Sequence, residues 1–241
     1  MAAAAQQHAL ASLKGLLESG AYSDLTISCN GDAYKVHKNI VCDKVDFFTR
    51  ALRFGGKESQ NDAIDLPEDD PAIVRRLIQY LYEAEYTPLL SDVASTGSAR
   101  CHYNEAGYFL GAGTGCCAHF TCDKCEVDTA VLPSLNGREY QLLLHVKMYE
   151  IADKYEVRGL KDLAREKFQR SCKQFWDSDV FAVAAHHVFS STPDSDKGLR
   201  DLVSLTISKH MCLMDKPEIE ALLTEFNGLA FGLLKLTRKR G

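Results

Sequence analysis

No stretch of the 241-residue chain approaches the roughly 20 apolar residues that a membrane helix requires. Even Val180 to Ala185 is bounded by Asp179 and His186, so the sequence predicts no membrane-spanning segment. Charge of one sign is also missing. The chain has 28 Lys+Arg against 33 Asp+Glu, a formal net charge of −5, which removes the broad basic footprint of a nucleic-acid-binding protein. The local basic group Lys235, Arg238, Lys239 and Arg240 suits the end of a final helix, where the helix dipole favours cations. Nine cysteines are an odd number and fall far below the roughly 8–10% of a disulfide scaffold, so reduced thiols or metal ligands are expected instead. The opening residues Met1 to His8 lack both the positive n-region of a signal peptide and an Arg-rich face. The expectation is an intracellular protein, cytoplasmic or nuclear. What is present is ordinary core material: 46% hydrophobic and 25% charged residues, enough for one large domain or two small ones and too apolar for a wholly disordered chain.

Leu10, Leu13 and Leu17 share one helical face, and Gly20 stands where a C-terminal cap belongs. Leu25 to Cys29 alternates apolar and polar, Asn30-Gly31 is a tight-turn pair, and Ala33 to His37 alternates again, which predicts a β-hairpin. Ile40, Val41, Val45, Phe47, Phe48 and Leu52 follow at helical spacings up to Gly55-Gly56, and Ile64 to Leu66 reads as a third strand. Asp70 as N-cap, Pro71 at the first helical position, and Ile73, Leu77 and Leu81 on one face predict a helix ending near Tyr82. From Pro88 to Arg138 periodicity disappears among scattered glycines, a length that needs a function or a support other than a core. Helix resumes at Glu139, with Leu144, Met148, Ile151 and Tyr155 on one face and Leu160, Ala164 and Phe168 beyond Gly159. Ser191 to Asp196 reads as an exposed polar linker in which Ser191, Thr192 and Ser195 invite capping or phosphorylation. Pro217 opens a further helix with Ile219, Leu222, Leu223 and Phe226 inward.

The order Tyr22-Ser23-Asp24-Leu25-Thr26-Ile27, Tyr34-Lys35-Val36-His37-Lys38, Phe47-Phe48, Ile64 to Pro71, Tyr80-Leu81-Tyr82 and Ala152-Asp153-Lys154-Tyr155 resembles a BTB/POZ domain. The wording is nearest to the short BTB proteins of filamentous fungi that carry a helical C-terminal extension. The resemblance implies an α+β fold, a three-stranded sheet capped by helical hairpins, followed by an all-α extension. On it the chain divides into an N-terminal helix (1–19), a BTB core (20–87), a Cys/His/Gly-rich insertion (88–138), closing helices (139–170) and the helical extension (171–241). The function it implies is non-enzymatic protein association, as scaffold or adaptor, with homodimerisation through the first helix and neighbouring strands. Leu10, Leu13, Leu16 and Leu17 supply an apolar face that must be buried, either in such a dimer or on the chain's own domain. Some members act as adaptors of a cullin ubiquitin ligase through a hydrophobic residue, any residue, then Glu. The matching positions are Gly56-Lys57-Glu58. Glu58 fits, whereas Gly56 forfeits the roughly 1.5–3 kcal/mol that a leucine-sized anchor would bury. The resemblance also matches Asp24 to a buried aspartate and His37 to a strand-to-helix junction.

The insertion's densest feature is Cys116 to Cys125. Thiolates and imidazole at this spacing suit zinc, which takes four such ligands tetrahedrally and can order a segment lacking a core. The working set is Cys117, His119, Cys122 and Cys125, with Cys101 or His102 able to replace one. The alternative, equally open, is plain reduced or redox-active thiols; a thiol- or zinc-dependent enzyme or redox switch would further need an open metal site or an activated cysteine. Gly111 to Gly115 lacks the Lys-Ser/Thr of a phosphate loop, so no nucleotide is expected. No catalytic residue is predicted. His186-His187 reads as structural, and Arg75, Arg76 and Lys147 as solvated faces.

Overall fold

The structure is a computed structural model that describes residues 2–54, 61–88 and 139–238. A helix, α1 (Ala2–Ser19), leads into the hairpin β1 (Leu25–Cys29) and β2 (Asp32–Val36). Asn30 and Gly31 hold φ of 47° and 98°, the left-handed pair a two-residue hairpin turn needs. The register pairs Ile27 with Tyr34 and Thr26 with Lys35, so Leu25, Ile27 and Cys29 point to the buried face. Two short helices, α2 (Lys38–Lys44) and α3 (Asp46–Arg53), carry the chain to β3 (Ala63–Asp65), which lies parallel to β1 with Ile64 opposite Ile27. Strand order is therefore β2-β1-β3. Ile27, Val36, Val41, Val45 and Phe48 are fully buried beneath this layer.

The expected cap is in place on α4 (Pro71–Glu83), where the Asp70 carboxylate accepts from the Ala72 amide at 3.0 Å. The helix ends at Ala84 in the left-handed region, φ 54°, without the glycine that such an end favours. Beyond residue 138, α5 (Gln141–Lys154), α6 (Arg158–Phe175), α7 (Asp179–Ser191), α8 (Gly198–Lys209), a 3₁₀ turn (Met211–Asp215), α9 (Pro217–Glu225) and α10 (Asn227–Arg238) complete the described chain. It is the α+β architecture expected: a small three-stranded sheet with helices, and a helical C-terminal region.

The chain packs as two units, Met1–Thr87 with Ile151–Asp162, and Pro88–Glu150 with Leu163–Gly241. None of the described helices is long and apolar enough to cross a membrane.

Several details differ from the sequence reading. On α5 the buried set extends past Leu144, Met148, Ile151 and Tyr155 to Leu142, His145, Val146 and Tyr149, a burial on several faces that a one-stripe pattern cannot reveal. The turn before α6 is made by Glu156, φ 58°, and Gly159 lies inside the helix, where a Cβ would stand 2.5 Å from the Tyr80 hydroxyl. Arg76 is not solvated. Its Nε and one Nη donate to the Thr87 and Ala72 carbonyls at 3.0 and 2.9 Å, and desolvation lowers its pKa. Of the residues read as an exposed linker, Pro193, Asp194 and Ser195 are exposed, whereas Ser191 and Thr192 are half-buried and donate to the His187 and Val188 carbonyls at 2.7 and 2.6 Å. The next helix begins at Gly198, two residues past Asp196, whose carboxylate accepts the Gly198 amide at 2.9 Å.

Candidate interaction site

Four leucines define the first surface. Leu10, Leu13, Leu16 and Leu17 on α1 are all half-buried, and α1 packs on α4. One edge of the leucine stripe thus lies on the chain's own domain while part stays in water. The helix is stopped at Gly20, φ 62°, whose amide reaches the Leu16 carbonyl at 3.0 Å. Lys14 and Glu18 form an exposed i,i+4 pair at 3.9 Å, so the polar and apolar sides of α1 are separate.

The turn that follows holds Tyr22 at φ 62° and 91% exposed. A bulky residue in the left-handed region is strained, and strain of this kind persists where the surroundings impose it. A second exposed aromatic, Phe54, ends α3 with 84% of its surface in water, and Phe47 one face earlier is 40% exposed. Nothing in the hydrophobic spacing distinguished these aromatics from core residues such as Phe48, because periodicity does not say which of two apolar stripes is covered.

Two polar networks hold this surface on its scaffold. At the junction of β2 and α2, the His37 amide donates to the Tyr82 hydroxyl at 2.8 Å, and the ring Nε2 lies 2.7 Å from the Ala21 carbonyl. A carbonyl only accepts, so Nε2 carries the proton and Nδ1 receives the Tyr82 hydroxyl at 2.7 Å. His37 therefore plays the structural part expected of it. Asp24 is exposed, not buried as the resemblance implied, because its carboxylate caps α2 from outside by accepting the Lys38 amide at 2.8 Å. The second network centres on Asp69. Tyr155 and Lys154 bind its two carboxylate oxygens at 2.6 and 2.9 Å, and Cys29 and Asn30 donate to its carbonyl at 3.2 and 2.9 Å. Burial, then the bond to Asp69, pushes the Tyr155 phenol far up. Residues 152–155 thereby lock to the hairpin.

Three of the described thiols, Cys29, Cys42 and Cys172, are held protonated. Burial raises the pKa of Cys29 and Cys42 and pushes Cys172 up to about 12, the opposite of what a nucleophilic thiolate needs. Among the described residues no group of three or more His, Cys, Asp or Glu is placed to hold a metal. The zinc set Cys117, His119, Cys122 and Cys125, the alternates Cys101 and His102, the Gly111 to Gly115 run, and Gly56 and Glu58 all lie outside the described residues.

In the helical unit, Arg200 is the main polar anchor. Only 8% exposed, it donates to the Phe189 carbonyl at 3.1 Å, the Thr192 hydroxyl at 3.0 Å, the Thr192 carbonyl, and the Asp194 carboxylate at 2.5 Å. His187 and His186 pair with Glu150 at 2.7 Å and Glu225 at 3.5 Å, a structural use of both.

Residues 13–105 match the family model of the BTB/POZ domain. The chain carries a BTB/POZ domain. The match starts inside the α1 leucine stripe and includes the sheet, the His37–Tyr82 junction and the cap of α4. A BTB/POZ domain is a non-enzymatic module for protein–protein interaction, which suits a surface of leucines and exposed aromatics on a hydrogen-bonded scaffold.

Proposed function

We propose that the chain is a homodimeric association module whose BTB/POZ domain pairs through α1, and that it serves as a scaffold or adaptor. The observation that carries this reading is the stripe Leu10, Leu13, Leu16 and Leu17, part-covered by α4 and part-open. Burying the open portion of several leucines against a second copy contributes up to roughly 1.5–3 kcal/mol per side chain. A two-fold interface lets one stripe cover itself. Native mass spectrometry of the full chain tests it. The expected mass is twice the 26.8 kDa of one chain; a monomer at micromolar concentration overturns the reading.

One observation favours a second role, adaptor of a cullin ubiquitin ligase. Phe54, two residues before Gly56 in the sequence, is 84% exposed, and an exposed aromatic is of the kind that anchors such a contact where glycine has no side chain. The test is capture of a cullin N-terminal domain. F54A is expected to abolish capture, and capture that persists in F54A removes Phe54 from this role.

A further inference from the structure

The helical unit contains a shallow, open cleft along α6 and α8 that neither reading above uses. Its floor is apolar, made by buried Cys172 and Leu202 with half-buried Leu205. Its rim is cationic: Lys173 and Lys209 stand exposed in the last turns of α6 and α8. Among the described residues, neither lysine pairs with a carboxylate and no carboxylate lines the cleft. His210 closes the cleft, its ring lying flat on Trp176 with centroids 3.8 Å apart and 7° between planes. Helix dipoles alone favour lysines at these ends. An apolar floor between two uncompensated cations is a further feature that the dipole does not require.

We infer that this cleft docks an acidic segment of a partner protein, with an apolar side chain on Leu202, Leu205 and Cys172 and carboxylates at Lys173 and Lys209. A small anion would satisfy the lysines but leave the floor wet. A second copy of this chain would bring its own Lys173 and Lys209 against the same charges if the contact were two-fold. An acidic, apolar-anchored segment matches rim and floor together. The inference is independent of pairing through α1, since the cleft belongs wholly to the second unit.

Trp176 is the only tryptophan in the chain, and it stacks on His210 of the cleft wall, so its emission reports on the cleft through that ring. The probe is a short peptide of alternating glutamate and leucine, titrated into the full-length protein at low salt. Expected is a saturable change in Trp176 emission, weakened about tenfold or more in K173E/K209E and by raised salt. The neutral pair K173Q/K209Q is expected to fall between, and circular dichroism checks that both variants stay folded. Saturable binding that survives K173E/K209E overturns the inference, as does equal binding of a lysine–leucine peptide. No response to the peptide, or a response to inorganic phosphate alone, also overturns it. A peptide response that requires the two lysines upholds the site whether or not the chain dimerises.

Discussion

The Tyr82 hydroxyl serves two buried partners, accepting the His37 amide and donating to its ring Nδ1. Tyr82→Phe leaves both without a partner in a site that is 0% exposed at Tyr82, and urea unfolding is expected to show a loss of ~1–3 kcal/mol. An unchanged midpoint would mean that water replaces the hydroxyl. Titration at alkaline pH reads a second set of residues. Burial pushes the Cys172 thiol from 9.0 to about 12 and, with the bond to Asp32, the Tyr34 phenol from 10.0 to about 12. Both groups lose their protons more readily in the unfolded chain. Their stabilisation is thus full below the unfolded values and is lost as pH rises toward the folded ones. The urea midpoint is expected to fall between about pH 9 and pH 12; a flat profile would show that neither group stays shielded.

Elements depend on close approach as much as on composition. At the start of α8 a Cβ on Gly198 would lie 2.1 Å from the Tyr149 hydroxyl, which itself binds Asp196 at 2.8 and 3.0 Å. Gly198→Ala is expected to cost ~1–3 kcal/mol, and adding Tyr149→Phe to recover part of it, measured as a double-mutant cycle in urea. Simple additivity of the two changes would deny the contact. Much of the fold was readable because its signals are local. Asn30-Gly31 dictates the hairpin turn, and Asp70-Pro71 starts α4 through a cap two residues long. What stayed hidden is non-local: the parallel pairing of β3 with β1, the desolvated Arg76, and Arg200 gathering Phe189, Thr192 and Asp194. An arginine's charge tells nothing about whether three carbonyl or carboxylate partners will converge on it. At the candidate site the α1 leucine stripe was legible from spacing, whereas the exposure of Tyr22 and Phe54 was not, since exposure depends on what the rest of the chain covers.

At the scale of the whole molecule, a BTB/POZ domain and a helical unit offer separate surfaces, leucines on α1 and a cationic cleft on α6 and α8. The cysteine-rich insertion adds a third question. Ligation by Cys117, His119, Cys122 and Cys125 predicts one zinc per chain, released by a chelator with the appearance of three more reactive thiols. A metal-free chain purified in zinc-supplemented medium contradicts it. The association claim is tested most directly by sedimentation of L13D/L17D beside the unaltered chain. A two-fold contact through α1 meets each substitution twice, so the account predicts a dimer whose dissociation constant rises more than a hundredfold, to a folded monomer. A dimer of unchanged affinity in the double variant would contradict it.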